Sequence, residues 1–262
     1  MMRDLQSERP KIRMEIDKVG ITDLVLPLKI RGRNKKVQDI TGRVEVLTNL
    51  SRKQRGTHMS RMVKLLNEFA EERVISYEEI CLLLGDLQKF LDNKKVQINI
   101  QFILFRKKYA PISKIPSYVN YDCEITARKI DRDISIILGT KTLITSLCPI
   151  SKSLSKASAH NQRGEVNVTA ELINDNLWFE DLISIIENNS SCDLFGVLKR
   201  VDEKFVTEKA YDNAMIVEDI VRGVADNLKS NKNIKKWTVS CKNLESIHTH
   251  NAFAEITGKN GR

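Results

Sequence analysis

Val96 to Phe105 reads VQINIQFILF. Val96, Ile98, Ile100, Phe102 and Leu104 recur at every second position, Gln97, Asn99 and Gln101 fill the gaps, and only Ile103 breaks the alternation. Successive side chains of an extended chain point to opposite faces, so this pattern predicts a strand with one buried face. The stretch before it has another period. Ser76 followed three residues on by Glu79 is a capping-box signature. Ile80, Leu83, Leu84, Leu87 and Leu91 follow it with helical spacing.

The same reading extends in both directions. Alternating segments near 12–31, 37–49 and 118–130 predict strands, and Met59–Glu72 predicts a helix. The second half has strands near 133–146, 165–173, 235–242 and 251–257. Its helices fall near 177–188, with Leu182, Ile183 and Ile186 on one face, and near 213–230, with an apolar stripe from Ile216 to Leu228. Each half reads β-β-α-α-β-β. The expected fold class is α+β, a tandem of two modules with antiparallel sheets, residues 1–130 and 131–262. A short echo fits a duplication: His58 and Arg61 in the first half, His160 and Arg163 in the second, each an H-x-x-R after a loop rich in Ser and basic residues.

Composition narrows the class. The 262 residues are 41% hydrophobic and 29% charged, which excludes a disordered chain. No apolar stretch approaches the roughly 20 residues that span a bilayer. The polar start MMRDLQSERPKIRMEIDK lacks a secretory h-region, so no membrane partner and a cytoplasmic location are expected. Five scattered cysteines without a CxxC pair argue against a disulfide framework or a zinc ribbon. A net charge of +9 suits a phosphate-rich partner. The densest basic run, Arg31 to Lys36, is expected to be a solvated loop between strands.

Four stretches carry chemistry. Ser146 to Arg163, SLCPISKSLSKASAHNQR, places Cys148 at a strand end and His160 just before the next strand. A loop between adjacent strands can return its end beside its start, and a thiolate and an imidazole could then share one cation; each taken alone is more often a packed or backbone-bonded side chain. Leu198 to Asn213, LKRVDEKFVTEKAYDN, offers Glu203 as a carboxylate ligand and Lys199 and Arg200 for phosphates, or else is a charged loop and helix start capped by Thr207. Glu218 lies off the apolar stripe, as a surface partner of Arg222 or as a carboxylate accepting two N–H bonds from a guanine edge. Glu245 to His250, ESIHTH, holds a Glu–His pair of the acid–base type.

Taken in order, THMSR, CPxSKxxSxxxAHNQR, LKRxDEKxVTExAYDN, VED and ESIHTHNAFAEI resemble the type IB GTP cyclohydrolase family, as do DLQSERPKI and VGITDL near the start. The resemblance spans essentially the whole chain. It implies a tunnelling fold, two modules with helices on one face of each sheet, and a homotetramer with active sites at subunit interfaces. The implied activity converts GTP and water to formate and 7,8-dihydroneopterin triphosphate, the first step of tetrahydrofolate synthesis. It also implies a divalent metal, manganese, zinc or iron, held by Cys148, His160 and Glu203. Glu218 falls on the guanine anchor, and Glu245 and His248 on the acid–base pair, with Cys148 counted among the catalytic residues. His58, Arg61, Lys152, Lys199 and Arg200 are the candidates for the triphosphate. One departure stands out: the family usually reads CPCSK, and here Ile150 replaces the second cysteine. In an extended segment Ile150 would face the same side as Cys148, leave the three-ligand shell intact and keep the enzyme active.

Two other readings compete. An archaeal subtype forms 7,8-dihydroneopterin 2',3'-cyclic phosphate from the same substrate. A basic nucleic-acid-binding protein would interleave cations with exposed aromatics. With aromatics at 6% and no such stripe, no stable nucleic-acid partner is expected.

Overall fold

A computed structural model describes residues 9–261. The first residues of the DLQSERPKI block lie outside that range. In chain order the elements are β1 (Ile16–Arg31), β2 (Val37–Leu50), α1 (Met59–Glu72), α2 (Tyr77–Leu91), β3 (Lys95–Tyr109), β4 (Pro116–Ile130), β5 (Asp133–Leu147), α3 (Pro149–Leu154), β6 (Asn161–Leu172), α4 (Phe179–Asn188), β7 (Cys192–Asp193), α5 (Arg200–Asp212), α6 (Val217–Ser230), β8 (Ile234–Asn243) and β9 (Ala252–Lys259). They form two compact units.

The first unit takes the described residues up to Phe102 together with Glu124–Ile137. β1 pairs antiparallel with β2, and β2 with β3, placing Val44 opposite Ile100 and Val46 opposite Ile98. The alternation of VQINIQFILF sends Val96, Ile98, Ile100 and Phe102 inward. Met62, Leu65, Leu66 and Phe69 of α1 and Ile80, Leu83, Leu84 and Leu87 of α2 are buried with them. Ser76 Oγ accepts the Glu79 N–H at 3.3 Å, which starts α2 where the capping signature predicts it. Of the basic run Arg31–Lys36, Arg31 ends β1 and residues 32–36 form the link to β2.

The second unit comprises Ile103–Cys123 and the described residues from Leu138 onward. β6 and β8 pair antiparallel, as do β8 and β9; β5 lies beside β6 and takes the two-residue β7. α6 packs on β8 and β9, burying the predicted stripe of Val217, Ile220, Val221, Val224 and Leu228. Leu182, Ile183 and Ile186 of α4 are fully buried.

The second half is richer than the β-β-α-α-β-β plan by α3, β7 and α5. The segment expected to be a charged loop followed by a helix start with Thr207 as its cap is already the helix α5 from Arg200, with Thr207 inside it, and the helix expected near 213–230 starts only at Val217. The start signals run opposite to the usual sense. The cap positions of α4, α5 and α6 are Trp178, Lys199 and Ile216, none of which caps through its own side chain. Asp181, Asp202 and Asp219, three residues on, accept the backbone N–H of those cap residues at 3.1, 2.9 and 3.3 Å. This is one arm of a capping box without the other. The H-x-x-R echo also has no common setting: His58 occupies the position before the helix α1, without a side-chain cap bond, whereas His160 precedes the strand β6. Among the described residues, no helix is long and apolar enough to cross a membrane.

A largely buried ionic cluster, with Lys209 at its exposed rim, ties the end of β3 to α4, β7 and α5. Lys108 Nζ lies 2.9 Å from Glu187 and 2.5 Å from Asp193, and 4.5 Å from the centre of the Phe195 ring. Tyr121 donates to Glu187 at 2.7 Å, and Lys209 reaches Asp193 at 3.2 Å. Burial pushes the Tyr121 hydroxyl well above its ordinary value, helped by the Glu187 charge. Burial also works against ionised Asp193, but Lys108 and Lys209 outweigh it and hold that carboxyl below the usual range.

Removing one member of such a cluster leaves uncompensated buried charge. Lys108→Ala is expected to cost about 3–5 kcal/mol, read from urea unfolding midpoints at constant slope. The contribution of ionised Asp193 is complete above its unfolded value of about 3.9 and is lost as pH falls through the lower folded value. The gap between the two proteins should therefore narrow below about pH 4.

Candidate active site

β5 ends at Leu147 and delivers Cys148 to the cap position of α3, with Pro149 opening the helix. The Ser151 N–H points at the Cys148 sulfur at 3.4 Å. The chain then leaves through Pro149–Ala159 and comes back. Cys148 N–H donates to the His160 carbonyl at 3.1 Å, and His160 N–H donates to Ser151 Oγ at 3.2 Å. The loop thus returns its end beside its start, and the half-buried Cys148 and His160 stand at adjoining strand ends.

His160 Nδ1 lies 2.9 Å from Gln162 Oε1 and 3.9 Å from a carboxylate oxygen of Glu245. The side chains of His160 and Glu245 are only 14% and 12% exposed, so the pair is shielded from water. Behind Gln162 sits a polar network reading the sequence did not reveal. Asn243 and Gln162 both donate to Ser146 Oγ, at 2.7 and 3.4 Å, and Ser146 donates to the Met215 carbonyl at 2.9 Å. All three side chains are buried. The available signal was parity, since Gln162 and Asn243 occupy inward positions of strands whose other inward residues are small or apolar.

A cleft of about 500 Å³ adjoins this network, lined in part by Gln162 and Arg163 of β6, Leu244, Asp193, Phe195 and Thr207. Of the other four cysteines, Cys192 lines the cleft and Cys241 lies 3.6 Å from Asn243 Oδ1; burial pushes Cys81 and Cys192 up, and Cys123 and Cys241 up to about 12, which disfavours their thiolates. Sulfur and imidazole at adjoining strand ends have the donor chemistry of a divalent-metal site. Among the described residues, no group of three His, Cys, Asp or Glu side chains completes such a shell.

A family model described as type I GTP cyclohydrolase FolE2 matches residues 2–254. The chain belongs to the type I GTP cyclohydrolase FolE2 family. A protein named GTP cyclohydrolase FolE2 from Desulfosudis oleivorans is 40% identical over 257 residues, covering 98% of each chain. One of the same name from Thermosipho africanus is 40% identical over 253 residues, covering 97% of this chain and 96% of its own. Among solved structures, a uricase from Arthrobacter globiformis superposes with a TM-score of 0.56 over 96% of both chains at 9% identity. Urate oxidase from Bacillus subtilis gives 0.50 over 94% of this chain and 98% of its own at 9% identity. These establish the tunnelling fold.

The remaining residues singled out by the FolE2 resemblance are spread over several elements. Glu203, Lys199 and Arg200 are exposed at the start of α5. That end of the helix is anchored by its buried neighbour Asp202, which accepts the Ile112 and Ser113 N–H groups at 2.8 Å each, Ser113 Oγ at 2.6 Å and the Lys199 N–H at 2.9 Å. Burial disfavours the Asp202 charge, but these hydrogen bonds, led by Ser113, hold the carboxyl well below the usual range. Lys152 donates to the Tyr211 carbonyl at 2.5 Å and lies 4.2 Å from the centre of that ring. Glu218 is exposed in the first turn of α6, and Arg222 pairs with Asp219 at 3.7 Å rather than with Glu218. His248 stacks on His250 with ring centres 5.0 Å apart, while Glu245 faces His160. In the first unit, His58 occupies the position before α1 and Arg61 donates to the Phe90 carbonyl at 3.3 Å.

Ile150 corrects an expectation. The segment after Cys148 is helical rather than extended, so residues two apart do not share a side. Ile150 is 60% exposed on α3.

The Asp202 clamp predicts a local effect. Asp202→Ala should remove hydrogen-exchange protection from the Ile112 and Ser113 amides and from the first turn of α5. The amides of α6 should exchange as in the parent. Unchanged exchange at Ile112 and Ser113 would show that the loop is held by something else.

Proposed function

We propose that this chain catalyses the GTP cyclohydrolase I reaction of folate biosynthesis, converting GTP and water to formate and 7,8-dihydroneopterin triphosphate. The observation that carries this reading is membership of the FolE2 family along residues 2–254. The chemistry assigned to each side chain rests on its type and setting. Cys148 and His160, with Glu203 as third donor, are the residues that would hold a divalent ion of manganese, zinc or iron. Such an ion supplies Lewis acidity that makes water nucleophilic near neutral pH.

The remaining work falls to the chain. The Glu218 carboxylate accepts the N1–H and 2-amino N–H of guanine, a bidentate match that fixes C8 relative to the strand ends. Glu245 and His248 move the protons that opening the imidazole ring requires: one must reach a ring nitrogen as its bond to C8 breaks, and another must leave the attacking water. A second water then cleaves the resulting formamide and releases formate. After enolisation of the ribose the freed amine condenses with the ribose carbonyl, closing the pterin ring and expelling one water, so that one water is consumed overall. Each of these steps needs further proton transfers. His58, Arg61, Lys152, Lys199 and Arg200 provide positive charge for the triphosphate. Lys152 reaches it only by giving up the Tyr211 carbonyl. The protein acts as a cytoplasmic homotetramer with active sites at subunit interfaces, as the family resemblance implies.

Purified protein incubated with GTP and Mn²⁺, Zn²⁺ or Fe²⁺ should release formate and a pterin that fluoresces after oxidation. Cys148→Ala should release neither and should lose bound metal. A cyclic phosphate in the product would establish the archaeal-type reaction instead.

Glu218→Ala removes two charge-assisted hydrogen bonds worth about 1.5–3 kcal/mol each. GTP affinity should fall at least about 100-fold while metal content stays at the parent level. Parent-level GTP affinity would remove Glu218 from the guanine site.

A further inference from the structure

The buried network behind His160 has a direction, and the direction is set by an atom that can only accept. Ser146 carries one hydroxyl proton, which goes to the Met215 carbonyl at 2.9 Å. The lone pairs of Ser146 Oγ therefore face the two amides that approach it, Asn243 at 2.7 Å and Gln162 at 3.4 Å, and both must present NH₂. With its nitrogen committed inward, Gln162 turns its carbonyl oxygen outward, 2.9 Å from His160 Nδ1. A carbonyl oxygen cannot donate. Glu245, at 3.9 Å from the same nitrogen, is beyond hydrogen-bond distance.

We propose that Gln162, held by Ser146 and Asn243, is a positioning residue that keeps the proton of neutral His160 on Nδ1 and leaves the lone pair on Nε2. The inference goes beyond the ligand assignment and rests on the proposed function only for its purpose. If His160 is a metal ligand, Nε2 is the ligating atom, oriented by a hydrogen bond to its other ring nitrogen. Neither the histidine nor the glutamine alone specifies this. Ser146 is 0% exposed, Asn243 2% and Gln162 9%, so water does not compete for these bonds and the amide orientation is not free to reverse.

The test uses the full chain without metal, labelled with ¹⁵N-histidine, at about pH 9, where an imidazole of ordinary pKa is neutral. Long-range ¹H–¹⁵N correlation distinguishes the two tautomers, and the chain's four histidines are separated by comparison with His160→Gln. The expected result is an Nδ1–H signature for His160 in the parent and a shift towards Nε2–H in Gln162→Leu. Gln162→Glu keeps an acceptor at the same place and should restore Nδ1–H. An Nε2–H parent, or a Gln162→Leu variant that keeps Nδ1–H, overturns the proposal. Should Gln162→Leu fail to fold, Ser146→Ala decides. Without the hydroxyl the Gln162 amide can reverse, so a tautomer mixture supports the proposal and an unchanged ring overturns it. Co²⁺ titration separates this from the ligand reading. Affinity should fall about 10–100-fold in Gln162→Leu and recover in Gln162→Glu. A ring that responds while Co²⁺ affinity does not upholds tautomer control and defeats the assignment of His160 as a ligand.

Discussion

The backbone hydrogen bond from Cys148 N–H to the His160 carbonyl closes the excursion through Pro149–Ala159 and brings the ends of β5 and β6 together. Both residues are half-buried where the strands run out, and their neighbours Leu147 and Ala159 pack in a small apolar cluster with Cys192 and Ala210. Three short links fix their geometry. These are the backbone bond itself, Ser151 Oγ accepting the His160 N–H, and the Cys148 sulfur accepting the Ser151 N–H. Each link uses a backbone group that would otherwise be orphaned at a strand or helix end. The loop can therefore carry many hydroxyls and few apolar residues and still define a site.

Elsewhere in the same unit, charge takes the place of apolar area. α5 buries only Asp202 and Ala210 along its length, too little to seat a helix by hydrophobic contact. Asp202 compensates with four hydrogen bonds, three of them from Ile112 and Ser113. Lys209, further along the helix, joins the cluster around Lys108 and Asp193. Buried ionic contacts are weak sources of net stability, yet removing one partner is costly. They fix orientation, and here they fix the helix that carries Lys199, Arg200 and Glu203.

What the sequence made legible follows the same division. Elements whose position is decided by apolar periodicity were readable: the strand built on Val96–Leu104, the helix from Met59 to Glu72 and the stripe of α6. α5 was not, because it has no such stripe and its start is marked by an aspartate three residues inside rather than by a hydroxyl or amide at the cap. The two-residue β7 is too short to show a period. At the candidate site, the family blocks pointed to Cys148, His160 and Glu245, but Ser146, Gln162 and Asn243 appeared only as polar residues in strands. Their roles depend on three strands meeting, which no local pattern encodes. Ile150 differs for a related reason: it would share a side with Cys148 only in an extended backbone, and Pro149 instead opens a helix.

The comparison with urate oxidases at 9% identity shows how little of the scaffold is specific to one chemistry. Two proteins can share nearly the whole tunnelling fold while almost every side chain differs. What individualises this chain is concentrated where the sheet stops: Cys148 after β5, His160 before β6, and Asn243 and Glu245 at and after the end of β8. A strand end is suited to this task because its alternation still sets which residues face inward, while its last backbone groups are free to bond outside the ladder. Gln162 shows the advantage. One residue inside β6, it is held by the sheet tightly enough to keep its amide orientation and lies close enough to the edge to reach His160. A glutamine on a loop would satisfy the same distance without keeping the same polarity.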